Sequence, residues 1–587
     1  MKTLFMVYIW AVLFCRILSA QVPEMVNGWP YGTRTSFDAV LETPLFLMEN
    51  QLENSAIYYN TNLGAVNKFH FDASYYSGWP SIFDSLHFIN TPVLADLDHD
   101  GESEMLAVGS PHGRSYNSFL YAFDNDGSVM PGFPLVLNWP DILNVADLDG
   151  DNEYEIISDS WDDRLIYCFD RYGASKPGWP IEMPEDYWVH NSFAASVGDL
   201  DRDGHNEIIM DGDKHIYAFC FDGSQESGFP IAIWDTSFYY SPSLWPGCLA
   251  DLDNDGYLEY AVSGNNWDPS VPYRDCFVAV YDHTGQMKAG WPLFYQGFVR
   301  GGIVPADINS DGIPELGYFA GLPQVDGFRF VNSDGQLLSG WPVFPTDQRG
   351  VDRSPGSDII VADVDGDNLP EIFMDYSSLF PDSMGHDSLW YYGHSYFFGL
   401  DHNGQQLPGY PIAVNGVYYC RPPSFAWDSS SQSLYMGLST EVVASPYQYQ
   451  DTAFLDIYHF PDSTGPLTEW PMLNHDNLHS RNYNFVDNVT AIQEGNEILP
   501  KSFILKQNYP NPFNGNTIIE FSLPKYEGIN LYVYDILGRK VKEIINSRLK
   551  AGSYKETINL NSAASGVYFC VLQGEKTKIT RKMMLIK

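Results

Sequence analysis

Basic residues are scarce in this chain. Of 587 residues only 32 are Lys or Arg, against 75 Asp or Glu, giving a formal charge of −43. A field of that sign repels phosphate backbones, which argues against nucleic acid as a partner. Long apolar runs are scarcer still. The one at the N-terminus, Leu4 to Phe14, holds about 11 residues where a spanning helix needs about 20, and no later stretch is longer, so no transmembrane segment is expected in the mature chain. Residues 1–20 instead have the parts of an export signal: Lys2, the apolar stretch, then Ser19-Ala20 before Gln21. Leu13-Phe14 ahead of Cys15 lacks the small residue that lipidation requires. Cysteines number seven, none at the spacing of a zinc site or redox pair. Cys248–Cys276 is the one disulfide considered, and the alternative is a set of buried thiols without chemistry. Catalytic signatures are missing too: no Gly-x-Ser-x-Gly, phosphate loop or dinucleotide fingerprint occurs. His475 and His479 stand four apart, but Asp476 takes the place of the Glu that a zinc-peptidase helix needs.

The charge is unevenly placed. Residues 501–587 hold 14 Lys/Arg and 6 Asp/Glu, a net of +8, so the first 500 residues carry −51. A large acidic unit followed by a small basic one implies two bodies with different roles.

Within the acidic unit one nine-residue pattern occurs six times, with oxygen-bearing side chains at positions 1, 3, 5 and 9. The copies are Asp96, Asp98, Asp100 and Glu104; Asp147, Asp149, Asp151 and Glu155; Asp199, Asp201, Asp203 and Glu207; Asp251, Asp253, Asp255 and Glu259; Asp307, Asn309, Asp311 and Glu315; and Asp363, Asp365, Asp367 and Glu371. Successive copies start 51, 52, 52, 56 and 56 residues apart. Alternate acids converge on the concave side of a turn, position 7 can add a carbonyl, and the Glu closes the site from the next strand. Glycine at position 6 in four copies (Gly101, Gly204, Gly256, Gly312) relieves the tight backbone, and Asn152 and Asn368 tolerate the same geometry. Calcium takes six to eight such oxygens, whereas zinc or copper would call for His or Cys. One copy could be a solvated turn. Six in register predict up to six structural Ca²⁺ ions.

Around each loop the same text recurs: a short apolar strand, then one ending in aromatic-x-Phe-Asp, a turn such as Asn125-Asp126-Gly127, then Gly-aromatic-Pro. The aromatics of these marks are Trp29, Trp79, Phe133, Trp179, Phe229, Trp291, Trp341 and Tyr410, with a relaxed copy at Glu469-Trp470-Pro471. Nine marks enclose eight intervals, six with an acidic loop. The first interval is decayed: its ligand positions read Met48, Asn50, Leu52 and Ala56. In the last, Phe425-Ala426-Trp427-Asp428 replaces the loop entry. Such a period predicts an all-β fold, a calcium-binding β-propeller of eight blades over residues 21–485, with seven as the alternative. The first mark, at residues 28–30, precedes the first full repeat, which suggests that the chain ends share a blade. The tryptophans are read as packing between blades.

These repeats closely resemble the FG-GAP/VCBS family found in integrin alpha chains and many exported bacterial proteins. The resemblance implies loops that support the blades and a ligand docked on the face or rim.

Residues 486–502 read as a polar linker, and 503–587 as short strands, Thr517–Leu523, Asn530–Tyr534, Thr557–Leu560 and Gly566–Leu572, in a small β-sandwich (Ig-like). This unit resembles a type IX secretion system type A (Por) sorting domain, on the motifs Asn508-Tyr509-Pro510-Asn511-Pro512-Phe513-Asn514, Val533-Tyr534-Asp535-Ile536-Leu537-Gly538-Arg539, Gly566-Val567-Tyr568-Phe569 and the terminal Lys582-Met583-Met584-Leu585-Ile586-Lys587. It implies export across the outer membrane, with Lys576, Lys578, Arg581 and Lys582 offered to the secretion machinery, and a secreted or cell-surface location.

The functional expectation is a non-catalytic binding or adhesion protein for a glycan or protein ligand; no catalytic residue is assigned. The alternatives are a polysaccharide lyase, which would need a base and arginines drawn from Arg114, Arg164, Arg274, Arg300 and Arg349, and a structural envelope component.

Overall fold

The computed structural model describes most of residues 24–482 and 504–587. Outside the described residues lie 1–23, 483–503 and several loops, among them 36–44, 48–54, 112–116, 185–194, 234–242, 266–274, 344–353, 378–394, 415–422, 443–450 and 461–475. The export signal, the linker, Trp29, Trp470, the His475/His479 pair and ligand positions Met48, Asn50 and Leu52 therefore fall outside them. Every described element is a strand, and no helix among the described residues could cross a membrane. The chain divides into two units, Met1–Ala491 and Ile492–Lys587.

In the larger unit, antiparallel sheets follow one another along the chain. The first holds Leu45–Leu47, Ala56–Asn60, Ala65–Phe69 and Ser81–Ile82. The second is built on Val93–Ala95, Glu104–Pro111, Asn117–Phe123 and Leu135–Asn138, the third on Leu143–Ala146, Glu155–Ser160, Leu165–Phe169 and Ile181–Glu182. The fourth to seventh repeat that order around Glu207–Asp211, Glu259–Asn265, Glu315–Gly321 and Glu371–Ser377. The eighth combines Ser424–Asp428, Ser433–Val442 and Asp451–Phe460 with two strands from the start of the chain: Tyr31–Thr35 and Glu24–Met25 both pair with Asp451–Phe460. The early Gly-Trp-Pro mark is thus accounted for, because the strands flanking it complete the last sheet.

Hydrophobic burial joins each sheet to the next. The first and second share a core around Tyr58, Trp79, Phe88 and Met105, the second and third one around Leu106, Leu120 and Val145. Further cores join third to fourth and fourth to fifth, and one runs continuously through the fifth, sixth, seventh and eighth. Ile57, Tyr59 and Phe69 of the first sheet then pack against Tyr435, Leu455 and Ile457 of the eighth, so the order of packing is cyclic. Beyond the eighth sheet the chain reaches back to the fourth and fifth. Val197 donates to the Ser480 carbonyl at 2.8 Å, and buried Asn482 bridges to Leu249 and donates to the Val197 carbonyl at 3.0 Å.

The Gly-aromatic-Pro marks make the junctions between sheets. The indole N–H of Trp79 donates to the carbonyl of Asn125 in the second sheet's turn at 2.8 Å; Trp179 reaches Phe221 at 3.0 Å, Trp291 reaches Ser333 at 2.8 Å and Trp341 reaches His402 at 3.2 Å. All four rings are buried, as the packing reading of these residues requires. The preceding glycine lets the backbones meet: a Cβ on Gly178, whose φ is +92°, would lie 1.9 Å from the Asp222 carbonyl oxygen. Six further marks repeat this contact or its turn geometry, and the proline of all seven described marks follows a cis peptide bond.

The cysteine expectation is corrected in one respect. Cys248 and Cys276 are free, buried thiols. Cys248 lies opposite Ala261 and Cys276 opposite Asn265 on the strand between them. Four residues along a strand is about 13 Å, well beyond disulfide reach.

The smaller unit has two antiparallel sheets sharing one core. One holds Ile504–Leu505, Asn516–Leu523 and Gly552–Asn559, the other Lys540–Leu549, Glu527–Asp535, Gly566–Gln573 and Lys578–Leu585 in that order. Asn511 pins the proline-rich motif to the last strand, accepting from Met584 N at 2.8 Å and donating to the Lys582 carbonyl at 3.1 Å. Arg581 donates to the Leu505 carbonyl at 2.7 Å, so it is committed inside the unit.

Gly178→Ala should destabilise the chain by about 2 kcal/mol or more, because it adds a backbone clash to a positive φ. Trp179→Phe should cost about 1–2 kcal/mol by stranding the Phe221 carbonyl. Denaturant unfolding measures both; a Gly178→Ala protein as stable as the parent would contradict the junction.

Candidate metal centres

Each acidic loop closes the hairpin between the first and second main strands of its sheet. The residue before position 1 pairs with the Glu at position 9 in all six: Ala95 with Glu104, Ala146 with Glu155, Gly198 with Glu207, Ala250 with Glu259, Ala306 with Glu315, and Ala362 with Glu371. The turn is held by its own side chains. Asp96 accepts from Asp100 N and Gly101 N, both at 3.1 Å, and Asp100 accepts from Glu102 N at 2.8 Å. The position 6 amide likewise donates to Asp147, Asp199, Asp251 and Asp307 in the next four copies, at 2.8–3.1 Å. That residue has a φ of +62° at Asn152 and +90° to +95° at Gly101, Gly204, Gly256 and Gly312, the left-handed backbone that Gly or Asn accommodates.

An apolar residue at position 2 anchors the loop. Leu97, Leu148, Leu200, Leu252, Ile308 and Val364 are buried, and the amide of each donates to Oε2 of the position 9 Glu, at 2.7, 2.9, 2.8, 2.8, 3.1 and 2.9 Å in that order. One carboxylate oxygen is thereby committed, and the glutamate is buried in every copy. The other oxygen is turned toward the aspartates. Glu104 Oε1, with the residue only 1% exposed, has no hydrogen-bond partner, and Asp149 Oδ1 and Asp199 Oδ1 are in the same condition. Ligand oxygens of Asp96, Asp98 and Glu104 lie within 4.8 Å of one another, as do those of Asp147, Asp149 and Glu155, of Asp199, Asp201 and Asp203, and of Asp251, Asp253 and Asp255. Orphaned, buried, anionic oxygens converging on one point fit a hard divalent cation and leave a soft metal without its preferred donors.

Burial, reinforced by the neighbouring aspartates, pushes the glutamate carboxyls up: Glu104 and Glu207 to about 8, Glu371 to about 9. In two copies an ammonium moderates the effect. Lys176 Nζ lies 2.7 Å from Glu155 Oε1 and 3.1 Å from Asp149 Oδ2, and Lys288 Nζ lies 2.9 Å from Glu259 Oε1 and 2.6 Å from Asp253 Oδ2. Burial still lifts Glu155 and Glu259 to about 7. In a third copy the neighbour is acidic: Glu226 and Cys220 gather with Glu207, and Cys220 Sγ donates to Glu226 Oε2 at 3.2 Å. In a fourth, the Asn309 amide nitrogen donates to Glu315 Oε1. Motif reading missed Lys176, Glu226 and Lys288, although each stands three residues before the aromatic of its mark and could have been found by aligning the marks as well as the loops.

Of the arginines considered for a lyase, Arg164 pairs with Glu182 at 3.7 Å, Arg300 belongs to the strand Phe298–Ala306, and Arg114, Arg274 and Arg349 lie outside the described residues.

The chain is an all-β protein of many small sheets. Residues 507–587 match the family described as secretion system C-terminal sorting domain. That match marks the chain for export through the type IX secretion machinery, to the cell surface or the medium. No curated protein matches it. Among solved structures it is similar to the biofilm matrix protein Bap1 of V. cholerae, at 13% identity over 96% of this chain and 82% of that one, with a TM-score of 0.31. It is also similar to the calcium-binding protein regucalcin of Agrobacterium tumefaciens, at 9% identity over 43% of this chain and 88% of that one, with a TM-score of 0.19. Neither likeness bears on how the sheets are arranged or on what the chain binds.

The raised glutamates give metal-free protein a characteristic pH response. A carboxyl whose folded value exceeds its unfolded one keeps its proton in the folded chain after the unfolded chain has lost it, so stability falls as pH rises from about 4.5 through 7–9. In chelator, Tm should fall between pH 5.5 and 8.5, and Glu104→Gln should flatten that slope. A chelated Tm that rises over this interval would contradict the burial of these acids.

Proposed function

We propose that this chain is an exported, calcium-stabilised β-propeller of eight blades, of the FG-GAP/VCBS kind, that acts outside the cell by binding. The observation that carries the reading is the set of six equivalent hairpins, each with a buried glutamate beside its aspartates, and in the first an orphaned Glu104 oxygen gathered with Asp96 and Asp98. The cyclic packing of eight sheets, and the completion of the last by strands from the chain's beginning, support a closed ring. In a loop that takes an ion, the side chains at positions 1, 3, 5 and 9 would hold it, with calcium favoured over magnesium because so many protein oxygens converge. Bound there, an ion supplies charge neutralisation inside the hairpin. The sorting domain, as a sandwich of Ig-like type, would be the part the secretion machinery handles.

The ions serve the scaffold, which leaves the propeller surface for recognition. Ile82, Val136 and Phe294 sit on the outermost strands of the first, second and fifth sheets and are 63%, 60% and 59% exposed. Apolar side chains presented in a charged surface favour contact with a protein or a sugar face over catalysis.

Saturating calcium should raise the Tm of the full chain by about 5 °C or more relative to chelator, by mass action on the folded state. An unchanged Tm would remove calcium from the fold. Binding to a polysaccharide and matrix-protein array, with and without calcium, names the ligand class. Calcium-dependent capture on one class is expected, whereas silence throughout would favour the structural envelope role.

A further inference from the structure

The six loops differ at one point outside their own nine residues. The residue three places before the aromatic of each mark occupies the same backbone position throughout: Met130, Lys176, Glu226, Lys288, Leu338 and Leu407 each donate their amide to a strand carbonyl, those of Ala122, Cys168, Ala218, Val280, Phe330 and Gly399, at 2.9 Å. The side chain from this position is delivered to the loop of the same sheet. Met130 and Leu407 are buried apolar residues there. Glu226 brings a further carboxylate to Glu207. Lys176 and Lys288 bring an ammonium that bridges the acids of positions 3 and 9, within 3.1 Å of both in each loop.

Those two acids are ligands in the calcium reading, on which this inference rests. A calcium ion would have to sit 2.3–2.6 Å from the same oxygens. An ammonium already in contact with both therefore competes for the ion's place and repels it. The arrangement is partly buried, with the lysine side chains 20% and 17% exposed and the glutamates 2% and 1%, so solvent screens little of that repulsion. The first sheet, whose loop has lost its ligands, offers a parallel. Lys68 is buried there, with its Nζ 5.1 Å from the centre of the Tyr58 ring and 4.6 Å from that of Tyr76, the residue at the equivalent position of its own mark, and it donates to Asn125 Oδ1.

We propose that the residue three before each mark's aromatic decides whether its loop takes a divalent ion, and that Lys176 and Lys288 neutralise loops 147–155 and 251–259 internally, leaving four loops for calcium. Loop 199–207, with Glu226 added, binds most tightly. The lysine-filled hairpins hold their shape in low calcium, while the other four depend on the medium.

The test is an ion count by equilibrium dialysis against CaCl₂ on the purified full chain and on Lys176→Met, Lys288→Met and Glu226→Lys. Methionine is chosen because Met130 fills that position naturally. Four ions are expected for the parent, five for each lysine variant and three for Glu226→Lys. Six ions on the parent, or a count unmoved by either lysine substitution, would overturn the lysine assignment while leaving calcium in the fold. A parent that takes up no ion overturns the calcium reading and this inference together. Should a lysine variant fail to fold, the parent count and Glu226→Lys still decide between four sites and six.

Discussion

The larger unit depends on one contact, the close approach of each Gly-aromatic-Pro mark to the turn of the following sheet. Small sheets of short strands cannot bury enough surface by themselves. Here each of the first six sheets reaches its neighbour through a glycine that admits a foreign carbonyl where a Cβ would stand, and through an indole or phenyl ring that closes the gap. The tryptophan N–H satisfies that turn's carbonyl, so the junction buries polar backbone without leaving it unpaired. The spacing of the marks therefore sets the period of the fold, and the acidic loops are carried on it.

Those loops invert the usual logic of a core. A buried glutamate with one oxygen committed to the Leu97-type amide and another facing aspartates is unfavourable unless a cation or a proton joins it. Two of the six loops contain their own cation in Lys176 and Lys288, one adds a fifth acid in Glu226, and one substitutes Asn309. Hairpins that look alike in backbone are thus different electrostatic problems, and in three of them the difference comes from a residue of the junction rather than of the loop.

Much of this was legible in the sequence, for a physical reason. Ligand geometry and the left-handed turn restrict residue choice at fixed offsets, so Asp96 to Glu104 and its copies announce their hairpins, and Gly178-Trp179-Pro180 announces its junction. The pairing of residues 31–35 with the last sheet was legible from a mark standing outside any repeat. What the loop motif left unread lay across strands. Lys176 is 21 residues from Glu155, so only the fold brings them together. The strands Lys540–Leu549 and Lys578–Leu585 were passed over because their alternation is broken by charge, which packing on one face tolerates. The Cys248–Cys276 pairing failed because proximity within a repeat says nothing of register.

The eighth sheet has a consequence for the order of assembly. Tyr31 pairs with Leu455, so nearly the whole unit must be made and delivered before its earliest strands find their neighbours. Contacts of such high sequence separation are slow to form, and until they do the chain carries exposed strand edges at both ends of the array. The strand that those earliest ones must pair with, Asp451–Phe460, is made last in the unit with its sheet neighbours, ahead of the sorting domain. The sorting domain at 507–587 is therefore made only after every strand of the larger unit, so export that waits for that signal also waits until Tyr31–Thr35 can find Asp451–Phe460.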